Sequence, residues 1–319
     1  MKKLALLFFL VADIHRIQAQ PDLPGPHAPA DTPAIFAPGV ISTGLSTRDL
    51  AISPSGDEIY YTIQQPKFIS STLIRVRKLH GIWGRPEVVP FSGVYRDLEP
   101  CLSWDGNSLY FSSDRPVSKT GGKHGFDIWV VRRNGSGQWG QPENLGEKVN
   151  SEKDEFYPSI AKNGNLYFTV EAAYGKGSED IVRCRWTDTG YTRPESLPEQ
   201  INTAFDEFNA FIDPDEQYIL FSCEGRPGET GKGDLYISRK DAAGNWQNAR
   251  LLPAPVNSGS LDYCPYVSRD KRILFFTSNR LRKEWYGEQP VTYDELRHLL
   301  SDPGNGYDSV YWITFDPAW

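Results

Sequence analysis

Four acidic residues, Asp97, Glu155, Glu207 and Asp262, occupy one place in a recurring phrase, three residues before a slot filled by Pro100, Pro158 or Pro265 in three of its copies. Three arginines, Arg115, Arg226 and Arg280, follow four or five residues past the phenylalanine that closes the phrase. A ring of carboxylates near one opening can bind a cation or a basic ligand, or supply acid and base for work at a sugar. Arginines beside it can read a carboxylate or sulfate through paired N–H donors. A residue type that returns in unit after unit has a structural reading too. The acids then accept backbone amides or pair with arginines of a neighbouring unit, and the repetition favours this reading. Trp285 and Tyr286 stand where the repeat is broken, and if exposed they suit stacking on a sugar or docking on a protein. His124, in a glycine-rich stretch, is expected to be merely solvated. The sequence has no nucleophile elbow, no paired-histidine zinc motif and no phosphate loop, so nucleophilic and zinc hydrolase chemistry lack their usual signals. No cofactor or metal is expected, although a structural cation at the acids is compatible with the pattern.

The elements that must position these residues are legible in the repeat, whose period is about 50 to 58 residues. Glu99 to Gly106 followed by Leu109-Tyr110-Phe111-Ser112 matches Tyr157 to Gly164 followed by Leu166-Tyr167-Phe168-Thr169. The same phrase returns at Ala51 to Thr62, Phe211 to Ser222 and Pro265 to Phe276, which makes five copies. Each is a hairpin: a short strand, a turn on residues that tolerate positive φ, and an apolar aromatic strand. A third strand follows at Phe126 to Val131, Glu179 to Cys184, Gly233 to Ser238 and Tyr307 to Trp312. A fourth is announced by an aromatic and a proline, as in Trp83 and Pro86, Trp139 and Pro142, and Tyr191 and Pro194; Trp246 opens the fourth copy with Ala249 in the proline slot.

Four-stranded units repeated at this period predict an all-β chain folded as a β-propeller, whose closure avoids long open edges. The last copy stops at Trp319, before its fourth strand, and Thr32 to Phe36 resembles the fourth-strand stretch Arg85 to Val89. The N-terminal segment is therefore expected to complete the last blade, giving five blades of four antiparallel strands, with six blades as the alternative. The largest break in the pattern, residues 281–306 between the last blade's second and third strands, carries a capping box at Thr292 to Glu295, an apolar stripe of Leu296, Leu299 and Leu300, and a stop at Pro303-Gly304. It is expected over or beside the channel mouth, either as a lid on a pocket or as packing over the junction between blades.

With 39% apolar residues, 28 glycines and 41 aromatics the chain has the composition of a folded, turn-rich protein. Met1-Lys2-Lys3 and the apolar run Leu4 to Ala12 read as a secretory signal ending near Ala19, so residues 1–19 are taken as the leader, 20–31 as a Pro-rich linker and 32–319 as one propeller domain. The apolar run is too short to span a bilayer. The expected location is periplasmic or secreted. A net charge of −7, with no dense basic cluster, argues against nucleic acid as a partner. Cys101, Cys184, Cys223 and Cys264 lack the spacing of a zinc ribbon and are expected to be buried free thiols.

The phrase from Glu99 to Asp114, followed by a glycine-rich loop and Asp127-Ile128-Trp129, resembles the WD-like repeat of TolB-type exported propellers. The resemblance covers nearly all of the chain after the leader. TolB itself carries an additional N-terminal α/β domain, so the expectation is a TolB-type propeller and not TolB. The resemblance is strong for fold and weak for function, because blades of this kind serve scaffolds, envelope-associated domains and some hydrolases and lyases. The function expected from the sequence is non-enzymatic binding of a protein or glycan, by a monomer, through the face that carries the blade-to-blade connections and the second-to-third-strand loops. The alternative is a carbohydrate-active hydrolase or lyase with carboxylates at the central funnel.

Overall fold

The computed structural model describes residues 31–117, 125–171, 175–282, 289–316 and 318–319. Five antiparallel sheets form the blades of a ring, each built on four strands, with a short extra strand, Ile82–Trp83, added in the first. Blade I comprises Thr47–Ile52, Glu58–Gln64, Ser71–Leu79 and Glu87–Val88, and blade II comprises Asp97–Leu102, Ser108–Ser113, Asp127–Arg132 and Glu143–Asn144. Blade III holds Glu155–Ile160, Leu166–Val170, Asp180–Cys184 and Glu195–Ser196; blade IV holds Asp206–Ile212, Tyr218–Glu224, Asp234–Arg239 and Arg250–Leu251. Blade V is built from Asp262–Val267, Ile273–Ser278 and Ser309–Thr314, with Ala34–Ile35 from the N-terminal side as its outer strand. The ring therefore has five blades, and the six-blade alternative does not hold.

The second strands are buried along their length because blades pack on both of their faces; every residue of Ile273–Ser278 is inaccessible. Each blade-to-blade interface has its own apolar core. Tyr60 and Leu73 meet Phe111 and Val131 between blades I and II, Val130 meets Phe168 between II and III, and Tyr167 meets Phe221 between III and IV. Leu220 meets Phe276 between IV and V, and Tyr61 meets Phe275 and Trp312 between V and I. Five interfaces with five cores close the circle.

The seam is made by backbone pairing of Ala34 with Trp312 and Ile35 with Tyr311, extended by Phe36 N–H donating to the Val310 carbonyl at 2.8 Å. Phe36 is fully buried, its ring 5.0 Å from Phe275 and 5.1 Å from Trp312. A second repeat device identifies this segment as a fourth strand. After the fourth strands of blades II, III and IV, Asn150, Asn202 and Asn257 each clamp both backbone groups of a third-strand residue, Ile128, Ile181 and Leu235. Ser42 does the same to Val310.

The turns joining first and second strands need a positive φ, supplied by Gly56, Gly106 and Gly164 in blades I to III. Blades IV and V put Glu216 and Lys271 there, at φ of 55° and 57°. The side chains offset the strain: Glu216 accepts from Asn163, Asn165 and the Tyr167 hydroxyl of blade III, and Lys271 pairs with Asp213 of blade IV. The four cysteines are free thiols. Among the described residues no helix is long and apolar enough to cross a membrane.

The insertion in blade V contains a helix at Tyr293–Ser301, with the Thr292 and Glu295 capping box in place. Leu296 and Leu299 are half-buried and Leu300 is exposed. The last turn packs against Gly44, where a Cβ would clash with the Ser301 carbonyl, and Asn305 ties the Leu300 and Gly44 carbonyls together. The helix thus rests on the connection between blades V and I. Trp285, Tyr286 and His124 lie outside the described residues.

Two outcomes follow from the seam. Phe36→Ala lowers unfolding free energy by about 3–5 kcal/mol, as for other buried phenylalanines, measurable by urea denaturation. Removing residues 32–40 opens blade V and lowers the melting temperature of the whole ring; an unchanged melt would mean that the ring does not depend on this strand.

Candidate functional site

The acids singled out in the sequence are all fully buried, and they tie strands together. Asp97 accepts from Ser92, Ser113 and Arg115, the last at 2.5 Å. Glu207 accepts from the Thr203 backbone and from Arg226, and Asp262 from the Ser258 backbone and from Arg280. Glu155 accepts from the backbone and hydroxyl of Ser151. The arginines also reach connector carbonyls, Arg115 to Phe91, Arg226 to Ile201 and Arg280 to Val256. Each pair therefore fastens the incoming connector to its blade. The arginines pair with acids of their own blade, not of a neighbouring one, because the first two strands set Asp97 opposite Ser113 and Asp262 opposite Ser278, two residues before the arginine.

The groups that meet on the axis lie two positions further on. Each first strand is interrupted by a bulge, between Arg48/Ala51, Leu98/Cys101, Phe156/Ser159, Phe208/Phe211 and Tyr263/Tyr266. Within it one residue per blade takes a left-handed conformation: Asp49, Glu99, Tyr157, Asn209 and Cys264, with φ between 49° and 63°. Such conformations cost of order 1 kcal/mol or more for residues with a Cβ, and they persist only where the surroundings hold them. Here the freed backbone amides find partners in the preceding blade. The amides of Asp49, Glu99 and Asn209 donate to the hydroxyls of Thr277, Thr62 and Thr169, and that of Tyr157 donates to the Glu99 carboxylate.

One arginine organises this ring. Arg48, 4% exposed, donates to Asp49 at 2.9 Å, to Glu99 at 2.8 Å, to Gln64 at 3.2 Å and to the Cys264 sulfur at 3.4 Å. Its guanidinium lies 5.0 Å from the Tyr263 ring and 5.9 Å from the Phe68 ring. Glu99 accepts four bonds in all, from Arg48, Asn209, Ser112 and the Tyr157 amide. Two carboxylates thus face one guanidinium in a dry site. Burial pushes the Glu99 carboxyl up to about 7, with Asp49 adding to the push and Arg48 opposing it, while its acidic neighbours hold Arg48 firmly charged.

The cluster divides the channel. On the side of the connectors and second-to-third-strand loops, Glu179 is half-buried, and its carboxyl is pushed up to about 7 by burial and by Asp206, Glu99 and Glu171. On the side of the first-to-second-strand turns lies an apolar funnel reaching to Glu99 and Tyr157. Among the described residues no group of three or more His, Cys, Asp or Glu side chains is placed to hold a metal ion. The carboxylates on the axis are thus engaged by neighbouring groups, and the cluster lies between the two ends of the channel.

Sequence reasoning passed over this cluster, although a signal was present. At the position of Arg48 the other copies carry Leu98, Phe156, Phe208 and Tyr263, and the next position differs in every copy while its surroundings repeat.

The comparisons bear on the fold. The protein matches TolB from Acinetobacter baumannii at 13% identity, a TM-score of 0.46 and 86% coverage, and spans 55% of that structure's length. It matches an α-L-arabinofuranosidase from Lactobacillus brevis at 11% identity and a TM-score of 0.50, covering 88% of this chain and 93% of that one. A glycoside hydrolase matches at 9% identity and a TM-score of 0.54, covering 90% of this chain and 93% of that one. No protein-family model matches the chain, and no curated protein matches it by sequence. The architecture is a five-bladed propeller, and at 9–11% identity the likeness to the two structures with TM-scores of 0.50 and 0.54 is one of fold alone.

Removing Arg48 leaves two buried carboxylates without their cation. Arg48→Ala is expected to cost about 3–5 kcal/mol in chemical denaturation, and Arg48→Met combined with Glu99→Gln to recover part of that loss. The pH dependence has a definite sign. The folded state binds the Glu99 and Glu179 protons more tightly than the unfolded chain does, so their contribution is complete below the ordinary carboxyl range and is lost as pH rises through about 7. Melting temperature should therefore fall between about pH 5 and 8, with a slope flattened by Glu99→Gln and by Glu179→Gln.

Proposed function

We propose that the protein is an exported ring that binds a protein partner through its loop-rich face. The observation that carries this reading is the uneven distribution of exposed apolar side chains. Phe68, Ile69, Val94, Tyr95, Phe205 and Tyr293 all lie on connectors or second-to-third-strand loops, with Ile69 at 69% and Tyr293 at 75% exposure. The opposite rim offers Leu79, Ile82 and Trp186. An excess of exposed apolar side chains on one face is a mark of an interaction site. Export is supported by the basic and apolar leader, Met1 to Ala19.

A carbohydrate-active hydrolase has one observation in its favour. Glu179 is a carboxyl near neutral pKa at a channel mouth, which is what a general acid requires. Against it, the two carboxylates on the axis, Asp49 and Glu99, are both engaged by Arg48 and are not available as its catalytic partner.

Affinity capture from envelope extract, with the wild type beside Ile69→Asp/Val94→Asp and Leu79→Asp/Ile82→Asp, tests the proposal. The first pair is expected to lose the captured partner and the second to keep it, with melts within a few degrees of the wild type. Release of reducing sugar from aryl glycosides or polysaccharide, abolished by Glu179→Gln, would replace binding by hydrolysis.

A further inference from the structure

The funnel on the turn side of the axial cluster has the make-up of a ligand site. Leu50, Leu102, Ile160, Phe211 and Tyr266 are among its wall residues, Glu99 and Tyr157 lie at its inner end, and its cavity volume is about 70 Å³. Across the mouth Trp104, from the turn of blade II, meets Arg269, from the turn of blade V, with the guanidinium carbon 3.7 Å from the ring centroid. Lys162, from the turn of blade III, approaches the same ring at 5.5 Å. Blades II and V are not neighbours, so this contact bridges the opening.

The two cations differ from Arg115, Arg226 and Arg280 in one respect: among the described residues neither has a carboxylate within ion-pair distance. Lys271 in the same turn as Arg269 is committed to Asp213, and Asp105, whose field reaches Arg269, is held by Ser103 and Asn107. A guanidinium stacked on an indole uses only its face. Its N–H donors lie in the plane and stay free for a planar, two-oxygen acceptor.

We propose that this funnel binds a small aryl-alkyl carboxylate, with its carboxylate on Arg269 and Lys162 at the mouth and its ring among Leu102, Ile160 and Phe211. The reverse pose sets an anion against Glu99, whose oxygens already accept four bonds. A cationic ligand meets like charge at the rim, and an inorganic anion leaves the apolar wall unused. The site lies on the other side of the axial cluster from the loop-rich face, so it stands or falls independently of the partner-binding reading.

Titration of the full chain with hydrocinnamate, followed by tryptophan fluorescence and calorimetry, is the test, with hydrocinnamyl alcohol as the neutral isostere. The acid is expected to bind about tenfold more tightly than the alcohol at low salt. Arg269→Gln/Lys162→Gln should erase that preference without weakening the alcohol, and Arg269→Lys should keep part of it. Ile160→Trp or Leu102→Phe, whichever retains the wild-type melt, should fill the funnel and weaken both ligands. Equal affinity for acid and alcohol, no saturable binding by about 10 mM, or acid binding indifferent to Arg269→Gln would overturn the proposal.

Discussion

A single buried guanidinium stands at the point where five sheets meet. Closing a propeller brings the first strands together around an axis that is too polar, with its bulged backbone amides, for hydrocarbon alone. Arg48 resolves the conflict. It reaches Asp49 beside it, Glu99 of blade II and Cys264 of blade V, while Glu99 passes the network on to the Tyr157 amide of blade III and to Asn209 of blade IV. All five blades are thereby joined through one charge. A buried ion pair is not by itself a source of stability, because desolvation offsets much of the attraction, but it penalises every arrangement in which one partner is missing. Its effect here is on register: a blade shifted by a residue loses its place in the cluster.

The same cluster separates the molecule into two faces with different chemistry. The loop-rich face holds an acidic mouth around Glu179 and most of the exposed apolar side chains, whereas the turn face holds an apolar funnel with Arg269 and Lys162 against Trp104 at its rim. The acid and arginine pairs at Asp97, Glu207 and Asp262 serve the perimeter of this division, fixing each connector to its blade so that the loops sit at constant height. Repetition and function are thus sorted. The features shared by the blades build the ring, and the features unique to one blade, such as Arg48, Glu179 and Trp104, give the faces their character.

The sequence by itself determined the architecture class: the hairpin phrase and the third-strand and fourth-strand signatures specify a propeller of four-stranded blades, while the choice of five blades over six and the pairing at the seam came from the structure. The physical reason is that strand period, turn chemistry and aromatic spacing are local properties, written once per blade and read without knowing where the blades sit. Only the tertiary structure decided which polar residues meet. Asp97 and Glu155 repeat in sequence yet never face a common space, because each is consumed by its own connector. Glu99 and Cys264 lie 51 and 216 residues along the chain from Arg48 and come within hydrogen-bond reach of it on the axis. Trp104 and Arg269 likewise meet only because the ring brings non-adjacent blades to a single rim. Charge neutralisation in a dry site depends on distances across the closed circle, and those distances exist only once it has closed.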